Sequence, residues 1–309
     1  MKNTVRHQIL EKVSKLNTNK SGERRSPHKP LLILVALHAF ERGVKSISFE
    51  EVCEKLTPLL NSYAPPIKGK HQPELPFWHL IRDGVWEVEG SENFPMVAGN
   101  KRPQLAALKN AKGCFSSSML DFLEQDPVAV QSLVKIILEN HFQASIHEEI
   151  IIAVGLNIEG TEESIVYEDY AQYKARIRDP NFRNQVLRAY GHRCAVTGFK
   201  VELGGQPFGC EAAHIKWHAF EGPDNISNGI ALEPTMHKLL DAGAWTLTDE
   251  RRILVSKSLT GDDEILGKIR KLHGQPIRDP LPDHPKISSE FIQWHRNQEQ
   301  GGVFRWPSL

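Results

Sequence analysis

Apolar positions along the chain follow two rhythms, and the switches between them mark its elements. Val5, Ile9, Leu10 and Val13 are spaced for one face and predict an amphipathic helix over residues 4–16. After a polar, basic loop (Asn17 to Pro27), the run HKPLLILVALHAF is apolar all round, which predicts a buried helix with Pro30 in its first turn. Ile47 to Leu60 reads as a short extended piece followed by a helix. Residues 61–76, rich in proline, glycine and lysine, read as a long loop. WHLIRDGVWEVEG predicts two short strands around a turn at Asp83-Gly84. Helical spacing returns over 118–141 and 143–154.

Periodicity then fades. Residues from Asn157 to Arg178 are polar and acidic, so a linker over 156–178 is expected between units at 1–155 and 179–309. Beyond it, Asn181 to Tyr190 predicts a helix leading to a strand start at Cys194 and a turn at Gly198. PFGCEAAHI reads as a strand ending at His214, and NGIALEPTMHKLLDAG as a short strand passing into a helix. The fold class is α+β, a helix-rich first domain and a second with the order strand, strand, loop, helix.

Composition narrows the class. No apolar run reaches membrane-spanning length, and Lys2, Arg6, Lys12 and Lys15 break up any signal-peptide core, so a cytoplasmic protein without a membrane role is expected. Cys53, Cys114, Cys194 and Cys210 form no CxxC pair, which argues against a disulfide scaffold and against structural zinc. The net charge of zero conceals segregation. Residues 1–30 carry eight Lys/Arg against two acids, 139–169 carry eight Asp/Glu with no Lys or Arg, and 171–193 carry six Lys/Arg against one acid. Two basic blocks around an acidic one suit two phosphate-facing surfaces, though charge runs are commonly plain solvated faces.

The second domain carries a catalytic pattern. His237 and Asp241, four apart on a helix, share a face and can hold one divalent cation, Mg2+ or Mn2+. His214 at a strand end suits a general base, and Asn228 at a turn suits a loop-fastening amide. These residues, in FRNQVLRAYGHRCAVTG, EAAHI and GPDNISNGIALEPTMHKLLDAG, resemble the HNH endonuclease superfamily, and within it the branch found in modification-dependent restriction enzymes. The resemblance covers about 70 residues in order and spacing. It implies a ββα-metal fold, with His214 as base, Asn228 as structural asparagine and His237 as helix metal ligand; Asp241 matches a further ligand of some members. Many members place an acid or histidine just before the base, where this chain has Ala213. Glu211, on the same strand face, is the expected substitute.

The first domain places RRSPHKPLLIL about forty residues ahead of KGKHQPELPFWHLIRDGVWEV. Cations beside a small apolar surface suit a phosphate made less hydrated on one side. The two segments resemble the sulfur-binding domains that recognise phosphorothioate DNA, in which sulfur replaces a non-bridging phosphate oxygen. The resemblance implies that His28, Lys29 and Pro30 with Pro76 shape the sulfur site. Arg24 and Arg25 would clamp phosphates, and Leu75 stands where the family often has tyrosine. His71, Phe77 and His79 complete the candidate surface. The expected function is a restriction endonuclease that binds double-stranded phosphorothioate DNA and hydrolyses nearby phosphodiesters with one metal. One centre cuts one strand at a time, which is compatible with a homodimer. A reader of a modified base such as methylcytosine, or a DNA-binding protein with a decayed nuclease site, are the alternatives.

Overall fold

The computed structural model describes residues 2–18, 20–21, 24–64, 67, 69–98, 102–156, 181–297 and 302–309. The chain divides into two compact units, residues 1–19 with 26–165, and residues 20–25 with 166–309. Apart from Leu156, the expected linker lies outside the described residues.

In the first unit, α1 (Lys2–Ser14) precedes α2 (His28–Glu41); the short paired strands β1 (Lys20–Ser21) and β2 (Arg24–Arg25), which lie between them in sequence, group with the second unit. Leu31 through Leu37 are all buried on α2, as an all-round apolar helix requires. No helix among the described residues is long and apolar enough to cross a membrane. β3 (Ser46–Ser48) runs into α3 (Phe49–Tyr63), whose start is fixed by Ser48 accepting the Glu51 N–H at 3.1 Å.

The WHLIRDGVWEV segment departs from its expected hairpin. Its first half is α4 (Glu74–His79) and a 3-10 turn (Leu80–Asp83), and only Trp86–Val88 forms a strand, β4. Pro76 falls in the first turn of α4, where a missing N–H costs nothing, so the apolar alternation around it settles as helix. Gly84 does turn the chain, at φ +70°. β4 pairs with the central strand β5 (Lys112–Phe115), which also pairs antiparallel with β3. A Cβ at Gly113 would lie 2.2 Å from Trp86, so glycine lets that indole cross the sheet. The helices α5 (Leu105–Leu108), α6 (Ser117–Gln125), α7 (Ala129–His141) and α8 (His147–Val154) complete the unit.

The second unit opens with α9 (Phe182–Ala189). Cys194 lies in a turn, not the expected strand; its Sγ accepts the Thr197 N–H at 3.4 Å and Gly198 turns at φ +76°. A hairpin of β6 (Val201–Leu203) and β7 (Gln206–Phe208) leads to β8 (Glu211–His214), which pairs antiparallel with β9 (Gly229–Leu232) and places His214 opposite Gly229. Pro234 then opens α10 (Pro234–Asp241). β10 (Trp245–Leu247) and β11 (Ile253–Val255) form a second hairpin, followed by α11 (Asp263–Arg270) and α12 (Ser289–Arg296). Val186, Ala213, Ile230, Leu232, Trp245 and Ile292 meet in the unit's core. The last residues lie along this hairpin, with Leu309 N–H donating to Val255 O at 2.9 Å and Arg305 N–H to Gly243 O at 2.9 Å.

Candidate active site

β8, β9 and α10 bring the predicted nuclease residues together. His214 ends β8 with its Nε2 2.8 Å from Asp224 Oδ1, on the loop between the strands. With Nε2–H donating to that carboxylate, Nδ1 is the nitrogen left to accept a proton. The imidazole stacks on Phe182 of α9, centroids 3.9 Å apart and planes 10° from parallel. Burial lowers the pKa of His214 below the ordinary histidine value, and Asp224 only partly offsets this. Both effects together favour the neutral ring, the form that can accept a proton.

Asn228 is fully buried and fastens the same loop. Its Oδ1 accepts the Lys216 N–H at 2.8 Å, while its Nδ2 donates to Lys216 O at 2.9 Å and to Pro223 O at 3.0 Å. The clamp holds the chain on both sides of the loop, just beyond His214 and just before Asp224.

His237 lies on α10 between two carboxylates, its Nδ1 2.7 Å from Glu211 Oε2 and its Nε2 3.2 Å from Asp241 Oδ2. Burial opposes a charge on this ring, but Asp241 and then Glu211 outweigh it and raise the pKa to about 9. Glu211 is lowered, chiefly by its hydrogen bond to His237. Ala213, whose side chain is shared with the core, leaves the strand's first position open, and Glu211 reaches the helix from there. Among the described residues no three His, Cys, Asp or Glu side chains already converge on one point as a cation cage. An imidazole with a carboxylate is donor chemistry that Mg2+ or Mn2+ takes, but Glu211 and Asp241 lie on different ring nitrogens, so an ion on His237 meets only one of them directly as they stand. A cation on either ring nitrogen would replace one of the two hydrogen bonds. Cys194 and Cys210 are buried free thiols at this end of the unit.

Two residues of this centre are absent from the sequence expectation. Asp224 follows Gly222-Pro223, a turn signal that placed a loop but said nothing of the side chain's aim. Phe182 stands 32 residues before His214; it opens the FRNQVLRAYGHRCAVTG run, but nothing in that run shows that its ring meets the histidine.

In the first unit, Ser26, His28 and His71 meet. Ser26 Oγ lies 2.6 Å from His28 Nδ1, and His28 Nε2 lies 3.2 Å from His71 Nδ1. Leu75 is half-buried and Pro76 buried at the start of α4. Lys29 is occupied elsewhere, with Nζ 2.5 Å from Asp83 Oδ2 and 2.7 Å from Asn17 O. Phe77 is a core residue, edge-on to Phe49 and Trp86, and Pro30 is buried in α2. His79 is half-buried and held below the ordinary histidine pKa by burial and then by the charges of Arg82, Lys29 and Arg102. Arg24 and Arg25 form β2, and their side chains lie outside the described residues.

This ββα arrangement, with a histidine ending its first strand and a carboxylate-flanked histidine on its helix, lies within residues 194–248, which match the HNH endonuclease family model. Residues 6–159 match the model described as ScoMcrA-like, DNA sulfur-binding domain. The chain thus joins a segment matching a DNA sulfur-binding domain to one matching an HNH endonuclease, and is a nuclease of the HNH kind. Among solved structures it is similar to the sulfur-binding domain of ScoMcrA complexed with phosphorothioated DNA (21% identity, 48% of this chain and 94% of that chain, TM-score 0.42). It is similar to the Type IV phosphorothioation-dependent restriction endonuclease ScoMcrA (14%, 74% and 93%, TM-score 0.38). A third similarity is to the modification-dependent TagI restriction endonuclease (26%, 43% and 43%, TM-score 0.31). No curated protein matches the chain.

Proposed function

We propose that the first unit reads a phosphorothioate through the Ser26–His28–His71 group together with apolar Leu75 and Pro76, and that the second hydrolyses a nearby phosphodiester at a single Mg2+ or Mn2+ site held by His237 and Asp241, with Glu211 joining directly or through water. Sulfur is larger and less hydrated than oxygen, so a surface pairing imidazole donors with apolar Leu75 and Pro76 favours it over an ordinary phosphate. In the second unit, His214 Nδ1 accepts the proton of a water that attacks phosphorus. The P–O3′ bond breaks, and the leaving oxygen takes a proton from solvent. Asp224 keeps the proton of His214 on Nε2 and faces the imidazolium that forms. Asn228 keeps the loop that carries Asp224 in register with β8. When bound, the cation neutralises charge gathering on the phosphate and leaving oxygen. Two chains acting on one duplex in the cytoplasm would break both strands.

The observation that carries this reading is the pairing of His214 with Asp224 beside a His237 already flanked by two carboxylates. Binding of two matched duplexes, with and without one phosphorothioate, tests the first half at fixed salt and without metal. A strong preference for sulfur is expected; equal binding removes sulfur recognition and leaves the nuclease. His214→Ala should abolish cleavage with binding unchanged, and a variant that still cuts removes His214 as base.

A further inference from the structure

The matched nuclease segment begins at residue 194, yet the base is in contact with a side chain twelve residues before it. A hydrogen bond to Asp224 fixes one point of the His214 ring but leaves it free to rotate about that bond. A flat surface against the ring removes this freedom. Phe182 supplies that surface, 6% exposed itself and stacked within 10° of parallel. The helix that carries it is seated closely: a Cβ at Gly229, the residue opposite His214 across the sheet, would lie 2.3 Å from Val186 Cγ2 and 3.2 Å from Phe182 Cε2. Glycine at 229 therefore lets α9 close onto the strand pair and bring Phe182 against the base.

We propose that Phe182 is the positioning residue of the general base, setting the plane of the His214 ring so that Nδ1 points at the attacking water. The inference rests on His214 being that base. Three titratable groups act on the ring: Asp224 and His218 on the loop after β8, and Asp241 on α10. Phe182 adds no charge; its contribution is orientation and a dry face.

The test compares Phe182→Leu, which fills the space without a planar face, with Phe182→Tyr, which restores the face. Both are made in the full chain, with His214→Ala as control. Cleavage of a phosphorothioate duplex with Mn2+ is followed across pH, alongside thermal melting and proton NMR of the metal-free protein. The Leu variant should lose about 10- to 100-fold in kcat with KM within about threefold. Its acid limb should move to higher pH, because water reaches the uncovered ring and favours the imidazolium. The Tyr variant should recover kcat. The upfield ring-current shift of the His214 Cε1 proton should be present in wild type and Tyr, and absent in Leu. A Leu variant with wild-type kcat and pH profile, beside an inactive His214→Ala, overturns the positioning role. A His214→Ala variant that still cuts removes the base and this inference with it. Absence of the ring-current shift in wild type refutes the stack even without any cleavage measurement.

Discussion

Asn228→Asp changes one atom of the loop clamp and separates donor from acceptor roles at that residue. The wild-type amide accepts one hydrogen bond, from Lys216 N–H, and donates two, to Lys216 O and Pro223 O. An aspartate keeps the acceptor. It also turns an oxygen toward two carbonyls 2.9 and 3.0 Å away in a site with no solvent access. Only the protonated acid restores one donor, so the folded state raises the carboxyl pKa above its unfolded value of about 3.9. The linkage follows from that sign. The variant is least penalised below pH about 4, and it loses stability as pH rises, at up to about 1.4 kcal/mol per unit, until the folded pKa is passed. Asn228→Ala, by contrast, loses three bonds at about 1 kcal/mol each and leaves their partners dry, a cost of about 3–5 kcal/mol with no such slope. Urea unfolding of the metal-free protein at pH 5 and pH 7, followed by tryptophan fluorescence, gives both numbers. An Asp variant whose difference from wild type is the same at the two pH values would show that the amide donors are not used, and the loop argument would fail.

Other consequences are more local. Asp224→Asn should lower kcat about 10- to 100-fold with DNA affinity nearly unchanged, since the amide neither fixes the His214 tautomer nor faces the imidazolium; single-turnover cleavage beside a binding assay checks it. His295 is fully buried between Thr246 Oγ1 at 2.8 Å and Leu240 O at 3.2 Å, and burial lowers its pKa to about 4. The unfolded chain takes up that proton near pH 6.5 and the folded chain does not, so stability falls as pH drops from about 6.5 to about 4, by about 3 kcal/mol at most. His295→Gln should flatten that acid slope in denaturant titrations; an unchanged slope would place its origin in other groups.

The sequence was legible where one local rule governed. The all-round apolar α2, the step from NGIAL into PTMHKLLD and the i, i+4 pair of His237 and Asp241 all stand as read. Glu211 also meets His237, as the shared strand face of 211 and 213 implied. Legibility ended where partners lie far apart along the chain. Lys29 reads as part of the sulfur site with His28 and Pro30, and the sequence does not show that its partner is Asp83, 54 residues away. Phe77 reads as part of a surface motif, yet Gly113, 36 residues on, admits the aromatic core that absorbs it. Trp78 to Asp83 reads as a strand ahead of the Asp83-Gly84 turn and becomes helix and turn, with Pro76 suited to a helix start.

The proton on His237 is a placeholder. With its pKa near 9, the unloaded imidazole carries a charge at neutral pH and satisfies both carboxylates, so Glu211 and Asp241 are not left repelling one another across a gap. On the proposed assignment of His237 as a metal ligand, loading a divalent ion would exchange one cation for another instead of ordering a loose site. Under that proposal a chelator would empty the centre with the fold intact, and readiness to cut would follow the supply of divalent ions without a cycle of unfolding.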